Sequence, residues 1–437
     1  MRRRVLIMGA AGKDFHVFNT LYRGHDEVHV AAFTATQIPG IDARRYPATL
    51  AGPGYPGGIP ILPEEKLTQL VASESIDEVV FAYSDVSYDY VDAHRKVVEA
   101  AGAAFSTPDP KAVALPTAVP VIAVCAVRTG CGKSQTSRHV VKTLRELGKR
   151  VVVVRHPMPY GDLAAQRVQR FATLEDLETQ NCTIEEMEEY EPHIRAQAVV
   201  YAGVDYQAIL ARAQNEADVL VWDGGNNDTP FFAPTLHITL VDPHRPGHEV
   251  SYYPGRENLE MADVVLFNKM DSADPGNVER IEANLQKINP RAARVYAKSP
   301  ITVDHPEVVA GKRVVVVEDG PTLTHGGMRF GAGVLAAQQH GASLVDPRPW
   351  LVGSIATTFA AYPDIGTLIP AMGYGEAQMR DLEATINRVE CDAVIVATPI
   401  DLARILKLDK PAVRVTYELD DRGSEPDLAT LVRDALG

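Results

Sequence analysis

The stretch AVRTGCGKSQTS, residues 126–137, sets Gly130, Gly132, Lys133 and Ser134 between an apolar run and a segment of helical spacing. Glycines at such a turn let successive backbone N–H groups close on an anion, and the N-terminus of the following helix adds its dipole. In that geometry Lys133 reaches the outer phosphates of a nucleoside triphosphate and the Ser134 hydroxyl ligates Mg²⁺. Thr129, Cys131 and Gln135 complete the nucleotide-binding loop. Val127 stands where the pattern G-x-x-x-x-G-K-S has its first glycine. Arg128 adds a second cation early in the loop, offering a planar fork where lysine would offer a point charge.

Two further strings extend the site. VLVWDGGNND is an apolar run ending in Asp223, the form of a Walker B strand whose carboxylate holds Mg²⁺ directly or through water. VVLFNKMD carries Asn268, Lys269 and Asp271 in the N-K-x-D spacing by which GTPases read guanine. Other strand ends are polar, and ligands gather at the carboxyl ends of strands in open α/β sheets. Arg155 and His156 in VVVVRHPMPYGD, with His244, Arg245 and His248 in VDPHRPGHE, are candidate contacts for an anionic substrate. His244 and His248 are four apart, but Pro246 and Gly247 forbid a helix between them, so the i,i+4 metal geometry does not apply. An anion contact, a zinc ligand and a solvated loop remain open for that pair. Glu318, Asp319, Thr322, Thr324 and His325 form a similar glycine-flanked group. MGAAGKDFH near the start reads equally as a second phosphate turn or as a plain strand–helix turn.

Positioning these residues requires alternating strands and helices, and the chain reads that way throughout, which favours parallel sheets with helical crossovers. Residues 4–10, 27–35 and 76–84 read as buried strands. Between them, the Pro/Gly-rich residues 37–63 read as a loop or lid with no regular element. We expect a Rossmann-like N-terminal domain over 1–118, a P-loop NTPase domain over 119–310 and an α/β segment over 311–437. The formal charge of −14 argues against a nucleic-acid partner, which needs a basic face. Four scattered cysteines without a CxxC pair suit a reducing compartment. The apolar start is broken too early for a signal peptide, and no run of about 18 apolar residues suggests a membrane span. A cytoplasmic location is expected.

The loop RTGCGKS resembles the variant phosphate loops of SIMIBI-class NTPases, some of which use a related asparagine to hold adenine, so ATP and GTP both remain open. MGAAGKDFHVFNTLYR, VRHPMPYGDL, WDGGNND, DPHRPGHE, NKMD, VEDGPTLTHGGM and PAMGYG together resemble a family described as cyclic 2,3-diphosphoglycerate synthetase or predicted GTPase. That resemblance covers essentially the whole chain. It implies NTP-driven closure of a phosphoanhydride in 2,3-bisphosphoglycerate, with Lys133, Arg128 and Asp162 as catalytic residues and Mg²⁺ on Ser134 and Asp223. It also implies a homodimer. The rival expectations are a regulatory or metallochaperone GTPase, and a kinase or ligase for another small anionic substrate.

Overall fold

The computed structural model describes residues 2–36, 44–156, 162–225, 227–324, 326–372, 375–402 and 405–437. Its parallel strands are short runs of Val, Ile, Leu and Ala. Val121–Ala126 is buried at every position, as expected where crossover helices cover both faces of a sheet.

The first sheet contains β1 (Arg3–Met8), β2 (Val28–Ala35), β3 (Arg45–Tyr46), β4 (Ile59–Pro63) and β5 (Glu78–Phe81). The short β6 (Val86–Ser87) leaves this sheet, and β7 (Ala104–Ser106) completes it in the order β3-β4-β2-β1-β5-β7. All its pairs are parallel except β3 with β4. Chain order reverses between β1 and β5, which opens a crevice beyond their carboxyl ends.

The second sheet is built from β8 (Val121–Ala126), β9 (Val151–Arg155), β10 (Gln169–Phe171), β11 (Val199–Ala202), β12 (Val219–Trp222) and β13 (Leu236–Val241). After β14 (Tyr252–Tyr253) it is finished by β15 (Val264–Phe267) and β16 (Ala293–Tyr296), in the order β10-β11-β9-β12-β8-β13-β15-β16. Only the edge strand β10 is antiparallel. β14 instead pairs antiparallel with β6, so a two-stranded ribbon ties the second sheet to the first.

The third sheet holds β17 (Ile301–Val303), β18 (Arg313–Asp319), β19 (Ser343–Leu344), β20 (Ile369–Ala371), β21 (Ala393–Ala397) and β22 (Ala412–Tyr417). Its main path is β17-β22-β21-β18-β19, with β20 also on β18.

Two expectations need correction. Residues 37–63 are not a loop throughout. Ile59 and Ile61 are fully buried, and their strand joins β2 in parallel register, because alternating isoleucines outweigh the flanking Pro and Gly. Residues 37–43 of that segment lie outside the described residues. The last helix, Leu428–Leu436, does not stay with the third sheet. Leu428 and Val432 are buried in the core of the second, packed on the Lys133–Glu146 helix that follows the phosphate loop. Among the described residues no helix is long and apolar enough to cross a membrane.

Truncating a fully buried leucine leaves a cavity and typically costs about 2–5 kcal/mol. Leu428→Ala should therefore lower the unfolding free energy by an amount in that range and shift the denaturant midpoint down, and bound nucleotide should recover part of it, because the helix beneath carries the phosphate loop. An unchanged midpoint would show that this helix is not part of the second core.

Candidate functional site

β8 turns into the Lys133–Glu146 helix through residues 127–132, with Gly130 (φ 82°) and Gly132 (φ 106°) in the left-handed region. A Cβ on Gly132 would collide with the Asn268 amide. Three successive carbonyl oxygens of the loop are each held by a side chain. Arg245 Nη2 donates to Thr129 O at 2.8 Å, Lys269 Nζ to Gly130 O at 2.7 Å and Asn268 Nδ2 to Cys131 O at 2.8 Å. With the carbonyls drawn outward, the alternating N–H groups are left to face an anion. Asp242, at the end of β13, orients two of these donors, accepting from Arg245 Nη2 at 2.8 Å and Lys269 Nζ at 3.0 Å. Burial alone would raise its pKa, but Lys269 and Arg245 hold the carboxyl well below the usual carboxylate range.

This arrangement also explains Val127. Its N–H donates to Leu240 O at 3.0 Å, so it continues β8 by one residue, and its side chain lies in the core. Close approach to the loop backbone is provided from the other side, where a Cβ on Gly255 would strike the Val127 main chain. The glycine absent at 127 has its counterpart at 255.

Asp223 follows β12 and is completely buried. Arg155 from the end of β9 donates to its Oδ2, and His193 Nε2 lies 3.3 Å from the same oxygen. Lys133 Nζ donates to Gly224 O and stands 3.6 Å from Asp223 Oδ1. Burial opposes the Asp223 charge, yet Arg155, Lys133 and His193 together keep its pKa far below normal. Burial lowers the His193 pKa, so that ring is neutral and reaches the carboxylate as an Nε2–H donor. Asp223 Oδ1 has no hydrogen-bond partner among the described residues, and Ser134 is exposed on the first turn of the helix. One unpartnered carboxylate oxygen and one open hydroxyl beside a phosphate loop fit the Mg²⁺ expected on Ser134 and Asp223.

Arg155 itself requires a correction. It is 2% exposed and bound to Asp223 and to Glu189 (Nε–Oε2 3.0 Å), so it neutralises strand-end carboxylates and does not face a substrate. Arg245 is likewise buried on the loop carbonyls, with Nη1 on Gly326 O at 2.6 Å. Arg128 turns away from the phosphate position. Its Nε binds Asp85 Oδ1 at 2.6 Å, its guanidinium carbon sits 3.6 Å from the Tyr252 ring centroid and its Nη1 donates to His248 Nδ1 at 2.7 Å. Accepting that bond requires a neutral His248, whose pKa is pushed down to about 4 by burial and by Arg128.

Among the remaining expected residues, His244 Nε2 lies 3.0 Å from Ser272 Oγ, away from His248, and no His/Cys/Asp/Glu cluster able to hold a metal occurs among the described residues. Gln135 is buried, Asp271 accepts from Ser299 N at 3.0 Å, and Ser299 Oγ reaches Gln135 Oε1 at 3.2 Å. Asp162 is exposed and caps Ala164 N at 2.9 Å, so it stands at the surface and not in the phosphate site. The Cys131 thiol, buried in the loop, has its pKa pushed up to about 11 by burial, which leaves it unreactive. His325 and residues 157–161 lie outside the described residues.

His156 occupies the junction of the first two sheets. Its Nδ1 is 2.9 Å from Tyr206 OH, and its ring packs edgewise on Trp222 and Phe231. A Cβ on Gly12 would come within 2.6 Å of that imidazole, so the turn after β1 lies directly against it. That turn is no phosphate site here, because Asp14 accepts from Ala11 N, Gly12 N and Phe15 N at 2.9, 3.1 and 2.7 Å. The third sheet contributes Thr322, which a Cβ on Gly130 would crowd at 2.8 Å. The carboxyl ends of three sheets thus meet at one phosphate loop. Asp85, Glu189, His193, Asp228 and Gly255 escaped the sequence reading. Glu189 and His193 were legible as an i,i+4 pair, and Asp85 as a carboxylate at a strand end.

A parallel sheet whose central strand turns through Gly-x-Gly-Lys-Ser into a helix, with a buried aspartate ending the adjacent strand, defines a P-loop NTPase. Arginine synthetase ArcE of Thermococcus kodakarensis is 54% identical over 434 residues, spanning 99% of this chain and 97% of that protein. The chain belongs to the ArcE family. No family model matches it. In structure it is similar to LpxK from Aquifex aeolicus in complex with ATP, at 12% identity over 85% of this chain and 100% of that one, with a TM-score of 0.44. A ParA family ATPase from Chlorobium tepidum is similar over 41% of this chain and 85% of that one, at 14% identity and a TM-score of 0.24. By the geometry of its own phosphate loop, the chain shares the P-loop class with cyclic 2,3-diphosphoglycerate synthetases, and the resemblance holds at that level.

Removing a donor from a buried carbonyl costs about 1–3 kcal/mol. Asn268→Ala should weaken binding of tripolyphosphate, which has no base, by a corresponding factor of roughly 5 to 150. A loss seen only with nucleotides would show that Asn268 reads the base and does not shape the loop. A second expectation concerns Glu318, which accepts from Val334 N at 3.0 Å and whose pKa burial pushes up to about 8. A raised folded pKa gives stability that is complete below the unfolded value and lost as pH rises through the folded one. The stability decline between roughly pH 5 and 8 should therefore be shallower in Glu318→Gln, measured by urea unfolding across that range.

Proposed function

We propose that this protein is an NTP-dependent synthetase that forms arginine, transferring the γ-phosphoryl group to a ureido oxygen and then replacing the resulting phosphate with ammonia. The single observation that carries the reading is the 54% identity, across nearly the whole chain, to a protein named arginine synthetase. The chemistry follows from the product. Arginine with one terminal nitrogen replaced by oxygen is citrulline, and a ureido oxygen is a poor leaving group until it is phosphorylated. Attack of that oxygen on the γ-phosphorus breaks the β–γ anhydride and releases the nucleoside diphosphate. Ammonia then adds to the O-phosphoisourea carbon, phosphate leaves with the former ureido oxygen, and the guanidinium remains.

Phosphoryl transfer depends mainly on position and charge neutralisation, which suits Lys133 and the N–H groups of residues 130–133. Mg²⁺, held through Ser134 and Asp223, would neutralise charge on the transferred group. The expected cations also favour a zwitterionic acceptor over a polyphosphate one. 2,3-Bisphosphoglycerate needs a cation-rich pocket, whereas Arg155 and Arg245 are committed to Asp223 and Asp242.

The test is incubation with Mg²⁺, citrulline and ammonium, with ATP and GTP in parallel, followed by chromatographic detection of arginine. Arginine, nucleoside diphosphate and phosphate should appear in equal amounts, and Lys133→Ala should lower kcat by about 100-fold or more. Nucleotide hydrolysis without arginine, or a new product from 2,3-bisphosphoglycerate, would overturn the reading.

A further inference from the structure

The first sheet reverses its strand order between β1 and β5, and the turn after β1 meets the loop that follows Asp223 at one side chain, since Gly12 and Gly225 both lie against the His156 ring. Small ligands of α/β proteins settle at such switch points. Both walls carry contacts to the phosphate domain. On one, Gly12 lies on the His156 ring; on the other, Asp85 receives Arg128 Nε and, at 3.3 Å, Thr129 N.

Asp228 stands at this junction. It is only 5% exposed, and its Oδ1 has no hydrogen-bond partner among the described residues. Its Oδ2 lies 3.1 Å from His156 Nε2, an atom that likewise has no hydrogen bond in acceptable geometry among the described residues. The backbone around it is fixed, since Asn258 Nδ2 donates to Asn227 O at 2.9 Å and to Asp228 O at 3.4 Å. A buried carboxylate oxygen without a donor is unfavourable and is normally satisfied by a ligand or an ion. The nearby cation Lys13, 5% exposed and 4.4 Å from the Tyr253 ring centroid, balances the charge without hydrogen-bonding Asp228.

We propose that Asp228, with His156 beside it, is the acceptor subsite that receives the N–H groups of a ureido or guanidinium end. A carboxylate matches the paired, coplanar N–H donors of such groups. The position suits the reaction, because a Cβ on Gly225, in the loop two residues after Asp223, would come within 3.2 Å of the His156 ring. Gly224 O of that loop already receives Lys133 Nζ. The inference rests on the arginine-forming reading.

The experiment is calorimetric titration of the full chain with citrulline, in the presence of Mg²⁺ and a non-hydrolysable ATP analogue, for the wild type and Asp228→Asn. The substitution keeps the shape and removes the charge. Citrulline affinity should fall 10- to 100-fold while affinity for the analogue changes less than about twofold, since a purely structural role would weaken both. His156→Gln provides the same comparison should Asp228→Asn not fold. Wild type that binds no citrulline would overturn the arginine-forming reading itself. Wild type and variant that bind citrulline equally would leave that reading intact and overturn the subsite.

Discussion

Three side chains that pull the phosphate-loop carbonyls outward are the constraint on which the rest of this structure depends. A loop can present consecutive N–H groups to an anion only if its C=O groups have partners elsewhere. Here those partners come from the two strands beyond β8. Arg245 and Lys269 share Asp242, and Asn268 takes the next carbonyl. Because Asp242 is buried between two cations, its loss would leave both without their carboxylate, at a cost of several kcal/mol. The loop is therefore held in its binding shape before any nucleotide arrives.

The same logic recurs on the other side of β8. Asp223 is buried with Arg155, Lys133 and His193 around it, and its Oδ1 is left without a hydrogen-bond partner among the described residues. Three sheets then enclose the loop. The first binds it through Asp85, the second supports it from beneath, and the third reaches it through Thr322 and Gly326. Such enclosure suits the proposed reaction, in which ammonia, and not water, must reach the carbon that bears the phosphorylated oxygen.

Much of this was legible in the sequence. Gly130, Gly132, Lys133, Ser134 and Asp223 fall where the spacing puts them, and N-K-x-D does meet the phosphate loop. The roles of Arg155 and Arg245 were harder to read. Cations at strand ends look substrate-facing until the carboxylates they neutralise are located, and Arg155 finds Asp223 68 residues away in sequence. The strand at Ile59–Pro63 was hidden by its own prolines and the glycines before it, which propensity weighs heavily and burial overrides. The return of Leu428–Leu436 to the second core is a long-range packing choice with no local signature. Val127 shows the same limitation, since the glycine that compensates for it lies at 255.

Arginine formation by the proposed route turns on one bond, between the acceptor oxygen and the γ-phosphorus. Citrulline labelled with ¹⁸O in its ureido group, incubated with Mg²⁺, ammonium and the preferred nucleotide, tests that bond directly when the released phosphate is analysed by mass spectrometry. Phosphoryl transfer to the acceptor predicts one ¹⁸O in each phosphate formed with arginine. Arginine accompanied by unlabelled phosphate would mean that the oxygen departs by another route, and would contradict the account.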